Sequence, residues 1–227
     1  MQDRWTGNIG DFGKLALLRQ LMEGRQLAIC WYLTNGVSEQ PNEGKYFDYL
    51  KHPAEFRHLA PEIFDTLKQI VDSGDTDMHR IDALENCGLL NGTLFYRREV
   101  PRRASLREIW ARDLVDSISE ADLVFLDPDN GIEGNRVTPK HVALSEIAAL
   151  RREDRALVLV QRQSGRQSEA KFLAERLRSL GCRRIELIRF RLISSRFFVV
   201  ADHDNVISER IASFSRKWGK WVNTYWF

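Results

Sequence analysis

Apolar residues along the chain fall into two kinds of pattern. Leu27–Leu33, Leu123–Leu126 and Ala156–Val160 are short continuous runs of strand length with no polar face, which predicts strands buried on both sides. Between and around them, apolar residues recur at helical spacing. One such stripe is Leu15, Leu18, Leu21 and Met22, and a second is Ile63, Phe64, Leu67, Ile70 and Val71. Leu106, Ile109, Trp110, Leu114 and Ile118 make a third; Phe172, Leu173, Leu177 and Leu180 a fourth. Thr93–Tyr96 reads as a short strand, and residues 77–92 fit neither period.

Local signals set the boundaries. Asp11 is the expected N-cap of the first helix and Gly24 its end; Pro61 suits the first position of the second. Ser105-x-x-Glu108 is a capping-box pattern, Thr138-Pro139 predicts a helix running to Leu150, and Ser168 caps a helix closed by Gly181. Ile185–Phe190 and Phe197–Ala201 are strands whose link around Ile193-Ser194-Ser195 is too short for a crossover, so they pair antiparallel. A last helix carries Ile211, Phe214 and Trp218. Together these elements predict one Rossmann-like, three-layer α/β domain over residues 1–227, its mostly parallel sheet ending in an antiparallel C-terminal hairpin. Residues 36–92 are expected as an irregular and helical insertion within it.

Composition narrows the class. With 43% hydrophobic and 29% charged residues the chain reads as an ordinary globular protein. No apolar run approaches the roughly 18 residues of a membrane span. The N-terminus lacks the apolar core of a secretory signal, and Cys30, Cys87 and Cys182 form no C-x-x-C pair, so a reducing cytoplasm without disulfides or a zinc site is expected. A net charge of +2 does not by itself argue for nucleic acid. Most of the 34 basic residues are arginine, which suits phosphate recognition, although a GC-rich coding bias gives the same excess.

The candidate chemistry gathers at Asp127-Pro128-Asp129-Asn130, the acidic turn closing the Leu123–Leu126 strand. Ligands in open α/β sheets bind outside the carboxyl ends of strands. Two carboxylates two residues apart there call for a cation or hydrogen-bond donors between them. They suit a divalent metal, a sugar or amine, or a proton from substrate; the plain alternative is that both cap a turn. Lys14, beside Asp11, is placed either to neutralise a carboxylate or phosphate at the strand ends or to sit solvated on its helix. The loop Gln161-Arg162-Gln163-Ser164-Gly165-Arg166 follows the next strand and is expected to face the same crevice, either reading a base or phosphate edge or serving as a plain polar loop. The five histidines show no metal-ligand spacing. Asp202-His203-Asp204 offers, with Asp127-x-Asp129, a weak likeness to the acidic motifs of haloacid-dehalogenase phosphatases. The tail from Arg216 to Phe227 interleaves basic and aromatic residues, as a base-stacking segment or a homodimer contact would, or as tryptophans packed on the sheet would.

Two motifs carry a family resemblance. Asp122-Leu123-Val124-Phe125-Leu126-Asp127-Pro128 resembles the D-x-V-F-x-D-P-P-Y segment of methyltransferases acting on amino groups of adenine or guanine in nucleic acid. Gly7-Asn8-x-x-Asp11-x-x-Lys14-x-x-x-Leu18 is similar to the G-N-x-A-D-x-x-K-H-x-x-L-L opening of bacterial large-subunit rRNA adenine methyltransferases. The chain also resembles a bacterial and phage family sharing G-D-F-G-K and F-L-D-P-D-N-G. The resemblance implies a class I fold, S-adenosylmethionine as cofactor, and a nucleotide or nucleic acid as substrate. On the matched positions Asp127 would accept hydrogen bonds from the reacting amine, with Asp129 and Asn130 beside it. Asn8, Asp11, Lys14 and the strand-one turn Thr34-Asn35-Gly36 would line the cofactor side. That turn has one glycine where the family has a glycine-rich loop, and Asp129-Asn130 stand in place of the second proline and aromatic. Two other readings stand beside it: a nucleotide-using transferase or hydrolase holding Mg²⁺ or Mn²⁺ through Asp127 and Asp129, and a non-catalytic binding module.

Overall fold

The computed structural model describes residues 6–34, 46–73, 80–134, 136–162, 168–192 and 196–227. Its centre is a seven-stranded sheet. The strands are β1 (Leu27–Cys30), β2 (Leu94–Tyr96), β3 (Leu123–Leu126), β6 (Ala156–Arg162), β7 (Glu186–Phe190), β8 (Arg196–Ala201) and β9 (Val222–Trp226), with a separate small pair β4 (Gly131–Ile132) and β5 (His141–Val142). Spatial order is β2-β1-β3-β6-β8-β7-β9. β2, β1, β3 and β6 pair parallel, and β8, β7 and β9 add antiparallel, so five of the seven strands share one direction. The Ile185–Ala201 hairpin is therefore present, with β8 inserted between β6 and β7.

Helices cover both faces. On one lie α1 (Ile9–Leu21), α2 (Pro53–Phe56), α3 (Pro61–Asp72), α4 (Arg80–Asn86) and α8 (Asn205–Trp218); on the other α5 (Ala104–Ser117), α6 (Leu144–Leu150) and α7 (Ser168–Ser179). Strand alternation divides the core between them: Leu123 and Phe125 face the first layer, Val124 and Leu126 the second. All four β3 side chains are buried, as a continuous apolar run between two helical layers must be. Phe12 of α1 meets Tyr49, Phe64 and Trp218 at ring-centroid distances of 5.3, 6.0 and 5.2 Å. This packs the 46–73 segment and the last helix around α1. Among the described residues no helix is long and apolar enough to cross a membrane.

Several local expectations are corrected. Asn8, not Asp11, caps α1: its side chain accepts from the backbone N–H groups of Gly10 and Asp11. The Ser105-x-x-Glu108 capping box does not form, because α5 starts at Ala104 and Arg103 is its uncapped N-cap. The buried face of α5 is Arg107, Trp110 and Leu114, while Leu106 and Ile109 are exposed. Residues 138–143 are not helical. Arg107 takes the carbonyls of Thr138 (2.8 Å) and His141 (2.6 Å), and Val142 accepts from the Glu133 N–H, so the stretch is pinned as turn and strand and α6 begins only at Leu144. β1 ends at Cys30, two residues before Tyr32 adopts φ +49°. The C-terminal tail forms the end of α8 and the edge strand β9, with Trp218 buried and Trp226 57% exposed.

Candidate functional site

From β1 the chain moves outward to β2, then returns across β1 to build β3 and β6 on its other side. Strand order thus reverses between β1 and β3, and a crevice opens beyond their carboxyl ends. The acidic turn follows β3 there, anchored to β1 by a hydrogen bond from the Asp127 N–H to the Cys30 carbonyl (3.0 Å).

Asp127 is 2% exposed. Its Oδ2 accepts from Lys14 Nζ at 2.7 Å, and the same ammonium donates to Asp11 Oδ1 at 3.0 Å. Asp11 Oδ2 in turn accepts from the Gly7 N–H (2.9 Å). Lys14 is equally buried, and its Nζ lies 5.8 Å from the centre of the Trp31 ring, a cation–π distance. Gly13, the residue before Lys14 in α1, sits against β7: a Cβ there would come within 2.4 Å of the Phe190 ring, so only glycine lets the helix lie this close to the sheet. Asn8, Asp11, Lys14 and Asp127 are therefore one connected group, in which the Lys14 ammonium fills the place a cation would take beside Asp127.

Asp129 and Asn130 are half-buried. The loop holding them is fixed from behind by Gln161, whose Oε1 accepts from the Ile132 N–H (2.7 Å) and whose Nε2 donates to the Arg162 carbonyl (2.9 Å). Gln161 is 5% exposed, so it braces the turn and does not face the crevice as the sequence suggested. Gly131 (φ +88°) passes so near it that a Cβ would lie 2.3 Å from Oε1. Asn130 and Thr34 both line a cavity of about 670 Å³, together with Glu99, Val100, Pro101, Arg102 and the 138–141 turn. Asn35, Gly36 and residues 163–166 lie outside the described residues.

One part of the site was not anticipated from sequence. Tyr32, Glu146 and Arg107 form a buried network: Tyr32 donates to Glu146 Oε2 (2.9 Å), and Arg107 pairs with both Glu146 oxygens (2.6 and 3.0 Å). Burial, then the Glu146 charge, raises the Tyr32 phenol well above its ordinary value, so it stays a donor. Tyr32 is held in the left-handed region, a strained state for a bulky residue. It stands at the strand-one turn, and Arg107 grips the 138–141 wall of the cavity. Burial, with Arg107 next in weight, lowers the His141 imidazole below its usual value. Cys30, under the same turn, is pushed up to about 12 by burial and is an inert thiol.

Asp202 and Asp204 lie at the opposite sheet edge from Asp127, because β8 runs against β6, so the phosphatase-like pairing does not form. Among the described residues no three His, Cys, Asp or Glu side chains gather as a metal site would require. No protein-family model matches the chain, and no curated protein does. Among solved structures, protein LPL1258 from Legionella pneumophila str. Philadelphia 1, described with the family model DUF519, aligns over 97% of both chains at 8% identity with a TM-score of 0.48.

Proposed function

We propose that this chain is a methyltransferase-like enzyme that binds S-adenosylmethionine in the cavity beyond β1 and β3 and acts on an amino group of a nucleotide or nucleic acid. The observation that carries the reading is the coincidence of that cavity with the point of strand-order reversal, lined by Thr34 after β1 and Asn130 after β3.

The lining suits such a ligand in size and charge. About 670 Å³ is within the range of small-molecule sites. Val100, Pro101 and Pro139 offer apolar contact for a flat base. Glu99, exposed after β2, is an acceptor for ribose hydroxyls, and Arg102 and Lys140 offer donors for an amino-acid carboxylate. The cofactor supplies an electrophilic methyl group when bound. The chain's own residues orient its acceptor. Asn130 presents a carboxamide oxygen to an N–H of the substrate amine, directing the nitrogen lone pair into the cavity. Asp127, held by Lys14, keeps that turn in register with β1. The Arg107–Glu146–Tyr32 network fixes the facing wall and limits water entry.

Calorimetric titration with S-adenosylmethionine and S-adenosylhomocysteine tests this. Saturable binding is expected, weakened roughly tenfold by Glu99→Gln, the value of one good hydrogen bond to a charged group. Asn130→Ala should leave that binding intact and lower methyl transfer roughly a hundredfold. Nucleotide binding that needs Mn²⁺ and is abolished by Asp129→Ala, without adenosyl binding, would favour the metal-dependent reading instead.

A further inference from the structure

At the opposite edge of the sheet, where β6 and β7 begin and β8 ends, lies a second cavity of about 530 Å³. Arg151 and Arg152, just before β6, and Arg183 and Arg184, just before β7, line it together with His203 after β8.

Two of these arginines are committed elsewhere. Arg151 pairs with Asp202 (2.5 Å) and donates to the carbonyls of Gly181 (2.7 Å) and Leu180, and Arg152 pairs with Asp154 (3.1 Å) and the Ser119 carbonyl. The other two are not neutralised. Among the described residues Arg184 meets only the neutral carboxamide of Asn205 (2.5 Å), and the Arg183 guanidinium has no partner. Against these charges the lining sets one carboxylate without a partner, the exposed Glu153.

His203 supplies the second observation. It is 5% exposed, and its Nδ1 faces the Asp204 carbonyl (3.3 Å) and the Ser208 hydroxyl (3.2 Å). His203 is a lining residue of this cavity, and its Nε2 is buried with no hydrogen-bond partner among the described residues. Buried ring nitrogens are nearly always satisfied, so one left over beside two available guanidinium forks marks a place for a ligand.

We propose that this cavity binds a phosphate group. Arg183 and Arg184 donate forked N–H pairs to its charged oxygens, and His203 Nε2 makes the inner contact. That contact accepts from a P–OH or, once the ring takes up a proton, donates to a third oxygen. A carboxylate would leave the inner nitrogen unused, since it has only two oxygens and no proton to offer; a tetrahedral oxyanion serves all three groups. The phosphate is a terminal monoester, on a small compound or at a nucleic-acid end, because a backbone diester has only two charged oxygens and no P–OH and fails as a carboxylate does. The site stands independently of the adenosyl reading, being at the other end of the strands.

The test follows the imidazole nitrogens by NMR and binding by calorimetry, with inorganic phosphate, a nucleoside 5′-monophosphate and a short 5′-phosphorylated single-stranded oligonucleotide as probes. At least one probe should saturate and shift the His203 ring signals selectively. Arg183→Ala/Arg184→Ala, a change at two exposed positions, should weaken that probe roughly tenfold or more, as should His203→Gln. Tightest binding of the oligonucleotide would assign the phosphate to nucleic acid, and tightest binding of a small probe to a metabolite. If no probe moves the His203 signals, or if the double arginine variant binds as the wild type does, the proposal is wrong.

Discussion

Lys14 holds two buried carboxylates at once. Its ammonium is the shared partner of two carboxylates, Asp11 and Asp127, and all three are almost fully buried. Lys14→Met would leave two charges buried with no cation between them, at a cost of roughly 3–5 kcal/mol. Urea unfolding should show that loss, and adding Asp127→Asn should recover part of it; a loss below about 1 kcal/mol would mean the group is not coupled as described. Glu186 poses the opposite case. It is fully buried on β7, neither carboxyl oxygen has a hydrogen-bond partner among the described residues, and burial pushes its pKa up to about 8. Between the ordinary carboxyl value and about 8 the folded chain holds a proton that the unfolded chain has released. Stability therefore falls as pH rises through that window and levels off above it. Glu186→Gln should flatten the slope of the unfolding midpoint between about pH 5 and about pH 9, and an unchanged slope would show that Glu186 is not the group responsible. Lys14 was only half legible: Asp11 one turn earlier allowed either a neutralising role at the strand ends or a solvated side chain, and the path of α1 over the sheet decides between them. Glu186 was not legible, since one acid in Ile185–Phe190 reads as an exposed strand position.

At the level of elements, the acidic turn is held in place because two segments, β4 and β6, meet behind it. Gly131 brings β4 against β6, and Gln161 closes the contact by accepting from the Ile132 N–H. Gly131→Ala would force a Cβ into Gln161 and a side chain into φ +88°, costing about 1–3 kcal/mol. It should also lower methyl transfer by displacing Asn130. Chemical denaturation and a methyl-transfer assay on the same variant check both, and wild-type behaviour in each would show that the close contact is dispensable. The strands were legible because continuous apolar runs have one interpretation between helical layers. The 138–143 stretch was misread because Thr138-Pro139 is a good local helix start, while its real partner, Arg107, lies 31 residues earlier in sequence from Thr138. Local signals cannot report a side chain that arrives from another helix. The Tyr32–Glu146 contact, 114 residues apart, was hidden for the same reason.

Over the whole molecule, one sheet presents two separate cavities. Its β1–β3 carboxyl edge carries the acidic turn and the larger cavity, and its β6–β7 amino edge carries the arginine cavity. The sequence pattern anticipated the α/β layers and the place of Asp127 at a strand end. It did not reveal that Asp127 is sealed by Lys14 while Asn130 and Thr34 face the open space, because exposure is decided by how α1 crosses the sheet. The most direct measurement of the central claim is a crystal structure with S-adenosylhomocysteine. The account predicts ligand density in the β1–β3 cavity, in contact with Glu99 and beside Thr34 and Asn130, with the Lys14–Asp127 pair intact behind it. A cavity left empty at saturating ligand, or a ligand bound elsewhere on the chain, would contradict it.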